Sequence, residues 1–213
     1  MVGPHPVGQK FFISTYDDWA VMLDLFAKAS GMVASLYSPA GVRILGPFDG
    51  PGFSKYLLES NNFRENEVCQ ILESKMVQEA ITANEFGDFK FEQTLLVKLH
   101  PVRAHGEVVA VIVYGWAFEK FPDPLDCNRL AKVLGIGDML FWQAARLQPP
   151  SSSEKLATFE AMLSLLCSTL IQQLIYLHQA TVASRFKDEL LTVVSHELKT
   201  PVALIKGYAG TLR

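Results

Sequence analysis

The sequence predicts an α+β chain in which an antiparallel sheet with flanking helices is followed by one long helix. Three observations predict it. Helical and strand periodicities alternate in blocks over roughly the first 148 residues, with several strands short enough to pair as hairpins. A compositional break follows at "QPPSSSEK", Gln148 to Lys155. From there no Gly or Pro occurs until Pro201, so the pattern allows a helix of roughly 45 residues or more, far beyond the usual globular length.

Taken in order, MVGPHPVGQK lacks the apolar core of a signal peptide, and residues 1–9 read as a leader. Asp17 to Ala29 places Trp19, Met22, Leu23, Phe26 and Ala27 at helical spacing, and Ser30-Gly31 supplies a stop. Met32 to Tyr37 and Val42 to Leu45 flank "SPAG", the chemistry of a hairpin turn. "FDGPGF" reads as a turn, since it lacks the lysine and helix context of a phosphate loop. Glu65 to Ala83 returns to helical spacing. Lys90 to Leu99 and Val108 to Phe118 read as two longer strands joined through "HPVRAHGE", which places His100, Arg103 and His105 at an exposed turn. Asp126 to Leu147 reads as a helix with a break at "GIG", and Ser151 with Glu154 reads as the capping box of the last helix.

Composition restricts the function classes. The chain has 213 residues, 49% hydrophobic and 19% charged, which suits one ordinary core plus an extension. A net charge of -3 gives no general attraction to nucleic acid or anionic lipid. Cys69, Cys127 and Cys167 are far apart in sequence and form no metal-ligand spacing with histidine, so neither a disulfide framework nor a metal site is expected, and a reducing cytoplasm fits. Ala161 to Ser184 contains no Asp, Glu, Lys or Arg, but Gln172, Gln173, His178 and Gln179 interrupt it, while Leu163, Leu166, Leu170, Leu174 and Leu177 recur at steps of three and four. That stripe predicts a coiled-coil helix, with no membrane span in this chain and a homodimer formed through residues 154–213.

The residues "DWAVMLDLFAKASGMVASLYSPAGVRIL" and "LHPVRAHGEVVAVIVYGWAF" resemble the first helix and strands and the closing hairpin of a GAF domain, the sensory relative of PAS, with the PocR-type sensor as the alternative. The resemblance spans residues 10–148. It implies a pocket between the sheet and the segment joining the central strands, which makes Phe53, Tyr56, Phe63, Cys69 and Phe86 candidate liners for an unidentified small molecule. Core packing is the competing reading for each aromatic, and an inert buried thiol is the competing reading for Cys69.

The last stretch carries the most specific signal. On a helix through Arg185 to Arg213, with His196 at zero and about 100° per residue, Leu190, Leu191, Val194, Leu198, Pro201 and Ile205 fall on the opposite side. His196 is therefore expected to face solvent. "FKDELLTVVSHELKTPVALIKGYAGTLR" resembles the phosphoacceptor helix of sensor histidine kinases, with its H-E-x-x-T-P motif. The resemblance implies His196 as phosphoacceptor, Glu197 as the carboxylate that orients and deprotonates it, and Thr200 as the residue placing a dephosphorylating water. Pro201 cannot donate to the carbonyl of Glu197, and the implied role is a hinge beside the phosphoacceptor.

The family implies ATP and Mg for the full-length kinase, a response-regulator receiver domain as partner, and a four-helix dimerisation bundle. The second bundle helix and the ATP-binding domain are not in this sequence, so it reads as a fragment, inactive alone, and no cofactor is expected for it. The expected organisation is 10–148 sensor, 149–184 linker and signalling helix, and 185–213 truncated phosphoacceptor helix. The competing function is a ligand-binding or dimerisation module that regulates partner proteins without phosphotransfer.

Overall fold

The computed structural model describes residues 16–60 and 67–211. Its elements are α1 (Tyr16–Ser30), β1 (Val33–Tyr37), β2 (Arg43–Phe48), α2 (Phe53–Glu59), α3 (Glu67–Ala83), β3 (Asp88–Phe91), β4 (Leu95–Ala104), β5 (Glu107–Phe118), α4 (Pro124–Leu134), α5 (Asp138–Leu147) and α6 (Ser153–Thr211). The five strands form one sheet in the order β2-β1-β5-β4-β3, with every neighbouring pair antiparallel. The α+β class with flanking helices and a long final helix is thus observed.

The chain divides into two compact units, residues 1–169 and 170–213. In the first, strand alternation assigns the two faces of the sheet. Val33 and Tyr37 of β1, Val97 of β4 and Val111 and Val113 of β5 share one core with Phe53 and Leu57 of α2, Val77 of α3, Leu130 of α4 and Phe141 of α5. The opposite face carries Tyr114, whose ring meets Phe26 of α1 edge-on at 5.5 Å, and Phe26 in turn meets Phe159 of α6 at 6.1 Å. Both faces are buried because helices cover each of them.

Several local expectations are corrected. The stretch Lys90 to Leu99 is not one strand: Glu92 and Gln93 both adopt positive φ, 47° and 59°, and turn β3 back onto β4. Neither residue is Gly or Asn, so the turn lacks the usual signal. "HPVRAHGE" is mostly strand, and the turn is only His105 and Gly106, at φ 51° and 86°, the two-residue geometry that matches strand twist. His100 is accordingly a half-buried residue of β4. Burial lowers its pKa, against a smaller opposing pull from Glu160.

Ser151 does not cap the last helix. Its N–H donates to the Phe118 carbonyl at 2.8 Å, and Ser152 Oγ instead accepts from the Lys155 N–H at 3.3 Å. The helix α4 begins as its residues require: the Asp123 carboxylate accepts from the Leu125 N–H at 2.7 Å, Pro124 follows, and Gly135 ends it in the left-handed conformation. Leu163, expected on a dimer seam, is fully buried within the first unit, as is Cys167 nearly so. Leu163 and Cys167 therefore face the first unit's own core, while Leu177 farther along the stripe is 62% exposed.

Candidate functional site

In α3, the buried positions among the described residues are Cys69, Glu73, Val77 and Ala80, four, four and three residues apart, so one stripe of the helix faces the sheet. Glu73 is the exception in that stripe, a carboxyl group only 3% exposed. Its two oxygens accept from different strands. The Tyr37 hydroxyl of β1 donates to Oε2 at 2.5 Å, and the Trp116 indole N–H of β5 donates to Oε1 at 2.7 Å.

The second donor is delivered by a β-bulge. Leu96 pairs with Ala117 and Val97 with Gly115, leaving Trp116 as the extra residue of β5. Gly115 has φ 125°, and a Cβ there would meet the Leu96 carbonyl oxygen at 2.6 Å. Trp116 itself has φ 53°, a conformation that a bulky aromatic residue rarely holds without support from its surroundings. The Phe91 ring supplies part of that support at 5.5 Å.

Burial raises the Glu73 pKa, while the hydrogen bonds from Tyr37 and Trp116 and the charge of Arg43 act to lower it. Arg43 is the register partner of Tyr37, and its guanidinium donates to Gln70 Oε1 of α3 at 3.1 Å. The Cys69 thiol, one turn from Glu73, is pushed up to about 12, mainly by burial and further by Glu73. It is a poor nucleophile in this setting. Ser35 lies on the same sheet face as Val33 and Tyr37, is fully buried, and its Oγ has no hydrogen-bond partner among the described residues. The cluster as a whole can hold or release a proton in a dry core.

The other pocket candidates divide. Phe53 is buried and packs against Phe118 at 5.0 Å and Phe141 at 5.3 Å, while Tyr56 stacks on it at 6.4 Å and is half-buried. Phe86 is half-buried with the Arg103 guanidinium 5.8 Å from its ring centre. Phe63 lies outside the described residues. Phe53, Tyr56, Cys69 and Phe86 all belong to or border the one core on the α3 side of the sheet. Sequence reasoning missed Tyr37, Glu73 and Trp116. The available signal was Glu73 in register with Cys69, Val77 and Ala80.

In the second unit, His196 lies in α6 and is exposed. Leu190, Leu191, Val194 and Leu198 are exposed as well, at 49%, 55%, 49% and 57%. The backbone of Glu197, Thr200 and Pro201 is helical, while their side chains lie outside the described residues. By length and composition, the stretch Ser153–His196 is also apolar enough to cross a membrane. Among the described residues, no group of three or more His, Cys, Asp or Glu is placed to hold a metal ion. Comparison with protein-family models, with characterised proteins and with solved structures finds no match to this chain.

Proposed function

We propose that this chain is the sensory and phosphoacceptor portion of a cytoplasmic two-component sensor histidine kinase, with a GAF- or PocR-like sensor. The observation that carries the reading is the run Val194 to Pro201, "VSHELKTP", set in a helix on which His196 is exposed. An exposed imidazole can reach a nucleotide held by another domain, and an exposed apolar stripe gives the helix a reason to pair with a second copy.

The chemistry follows from neutral imidazole. One ring nitrogen of His196 attacks the γ-phosphorus of ATP, an N–P bond forms, and the bond to the bridging oxygen breaks with its electron pair leaving on ADP. The proton on the other nitrogen passes to Glu197. The phosphoryl group is then transferred to a response-regulator receiver domain, and Thr200 places the water that later hydrolyses it from the receiver, releasing inorganic phosphate. ATP and its magnesium ion are carried by an ATP-binding domain in the family that this helix resembles. A signal at the sheet domain acts by shifting the paired helices between two arrangements, with Pro201 as the hinge.

The test is phosphorylation in trans. The chain is mixed with the ATP-binding domain of a histidine kinase and γ-labelled ATP, with that kinase's own phosphoacceptor domain as positive control. The expected label is stable to base, labile to acid, and lost in His196→Gln. An unlabelled chain beside a labelled control would sink the reading and leave the non-catalytic dimerisation module.

A further inference from the structure

The Glu73 cluster points to the kind of signal the first unit can register. The argument is independent of the kinase reading, because every residue it uses lies in the sheet domain. A carboxyl group in a dry core is costly when charged and tolerable when neutral. Glu73 is placed where its state matters mechanically, since its oxygens join α3 to β1 through Tyr37 and to β5 through the strained Trp116. Among the described residues, the positive charge acting on it is that of Arg43 of β2, whose guanidinium donates to Gln70 Oε1 and also interacts with the Tyr37 hydroxyl.

We propose that Glu73 is a proton-operated latch: its carboxyl ties α3 to β1 and β5, and loss of its proton changes the hydrogen bonds it makes with Tyr37 and Trp116 and pulls harder on the nearby Arg43 guanidinium, so that the proton sets how α3 is held to the sheet. The reaction is loss of one proton from the Glu73 carboxyl to solvent, with charge balanced by Arg43.

The groups facing Glu73 leave it as the titrating member. Tyr37 on β1 is raised, first by burial and then by Glu73, and Cys69 on α3 is pushed up to about 12. The donor from β5 is the indole of Trp116, which does not titrate in water, and β3 contributes the ring of Phe91.

The Trp116 indole N–H is a direct reporter. In the full chain, its nitrogen-proton resonance, assigned with Trp116→Phe, is followed from mildly acidic to mildly basic pH. The expected result is a single sigmoidal shift with its midpoint above the ordinary glutamate value, lost in Glu73→Gln. Arg43→Gln, which leaves the core side chains in place, moves the midpoint to higher pH because the charge that favours the carboxylate is gone. A Trp116 resonance that stays flat in the unaltered chain, or a midpoint that Arg43→Gln leaves unmoved, would overturn the latch.

Discussion

Lys98 Nζ lies 2.9 Å from Glu160 Oε2 and 2.8 Å from Asp88 Oδ1, so an almost buried ammonium on β4 ties the sheet both to its edge strand and to the first turns of α6. The Lys98 side chain is 11% exposed, while its two acidic partners are about half exposed. Burial works to lower the Lys98 pKa, yet the hydrogen bonds and charges of Asp88 and Glu160 prevail and raise it.

The asymmetry gives the first prediction. Glu160→Gln keeps a hydrogen-bond acceptor and leaves Asp88 to balance the charge, so its cost should be about 1 kcal/mol in urea unfolding. Asp88→Asn combined with Glu160→Gln strands the ammonium in a mostly apolar setting and should cost about 3 kcal/mol, more than twice the single change. Simple addition of the two single costs would show that the pairs act as solvent-screened surface bridges.

Backbone geometry at the bulge gives a second contrast. Gly115→Ala puts a Cβ 2.6 Å from the Leu96 carbonyl oxygen at φ 125°, between two paired strands that cannot separate without losing hydrogen bonds. We expect a loss of about 3 kcal/mol or failure to fold. Gly106→Ala, at φ 86° with nothing within 4 Å of the new Cβ, meets only the intrinsic backbone penalty, about 1 kcal/mol. Equal midpoints for the two variants in denaturant would contradict the clash argument.

Glu73 sets a pH dependence whose sign follows from linkage. Its pKa is raised on folding, so the folded chain holds its proton more tightly than the unfolded one. The resulting stability is present below the unfolded value and is lost as pH rises through the folded value. The melting temperature of the unaltered chain should therefore fall across that interval, and the fall should be reduced in Glu73→Gln, whose amide oxygen still accepts from Trp116 while its NH2 can face the Tyr37 oxygen. A parallel decline in both chains would place the titration elsewhere.

Much of this architecture is legible in the residues themselves. Trp19, Met22, Leu23 and Phe26 announce α1 by their spacing, and "SPAG" and "GIG" mark the turn and the helix break where Gly41 and Gly135 adopt positive φ. What escapes is set by tertiary context. Glu92 and Gln93 turn the chain with residues that carry no turn signature, because pairing of Phe91 with Leu95 fixes the loop from outside. Ser151 and Ser152 offer the same chemistry to the helix start, and the hydrogen bond from Ser151 to Phe118 decides which of them caps. A glutamate in an otherwise apolar stripe looks like a tolerated surface residue until Tyr37 and Trp116, distant in sequence, meet it. The run "VSHELKTP" is local, and for that reason its resemblance to a phosphoacceptor helix can be seen in the sequence without the fold.

The stripe of α6 supplies the last prediction. Leu190, Leu191, Val194 and Leu198 leave about half of each side chain in water, and they lie opposite His196 on the helix. A second copy paired in parallel would cover them, and sedimentation should then find a dimer at micromolar concentration. Val194→Asp puts an unpaired charge into that seam twice per dimer, about 3 kcal/mol or more in total, and should raise the dissociation constant at least about a hundredfold. His196→Gln, on the far side, should leave the dimer unchanged, which separates the chemistry of the helix from its pairing. Because Ser153–His196 also meets the length and apolarity of a membrane span, the same samples are floated with neutral lipid vesicles. The mid-stretch Gln172, Gln173, His178 and Gln179 would each need a partner inside lipid, so the chain should stay in the aqueous fraction. A monomer that floats with the vesicles would reverse the assignment of the stripe, from a partner helix to hydrocarbon.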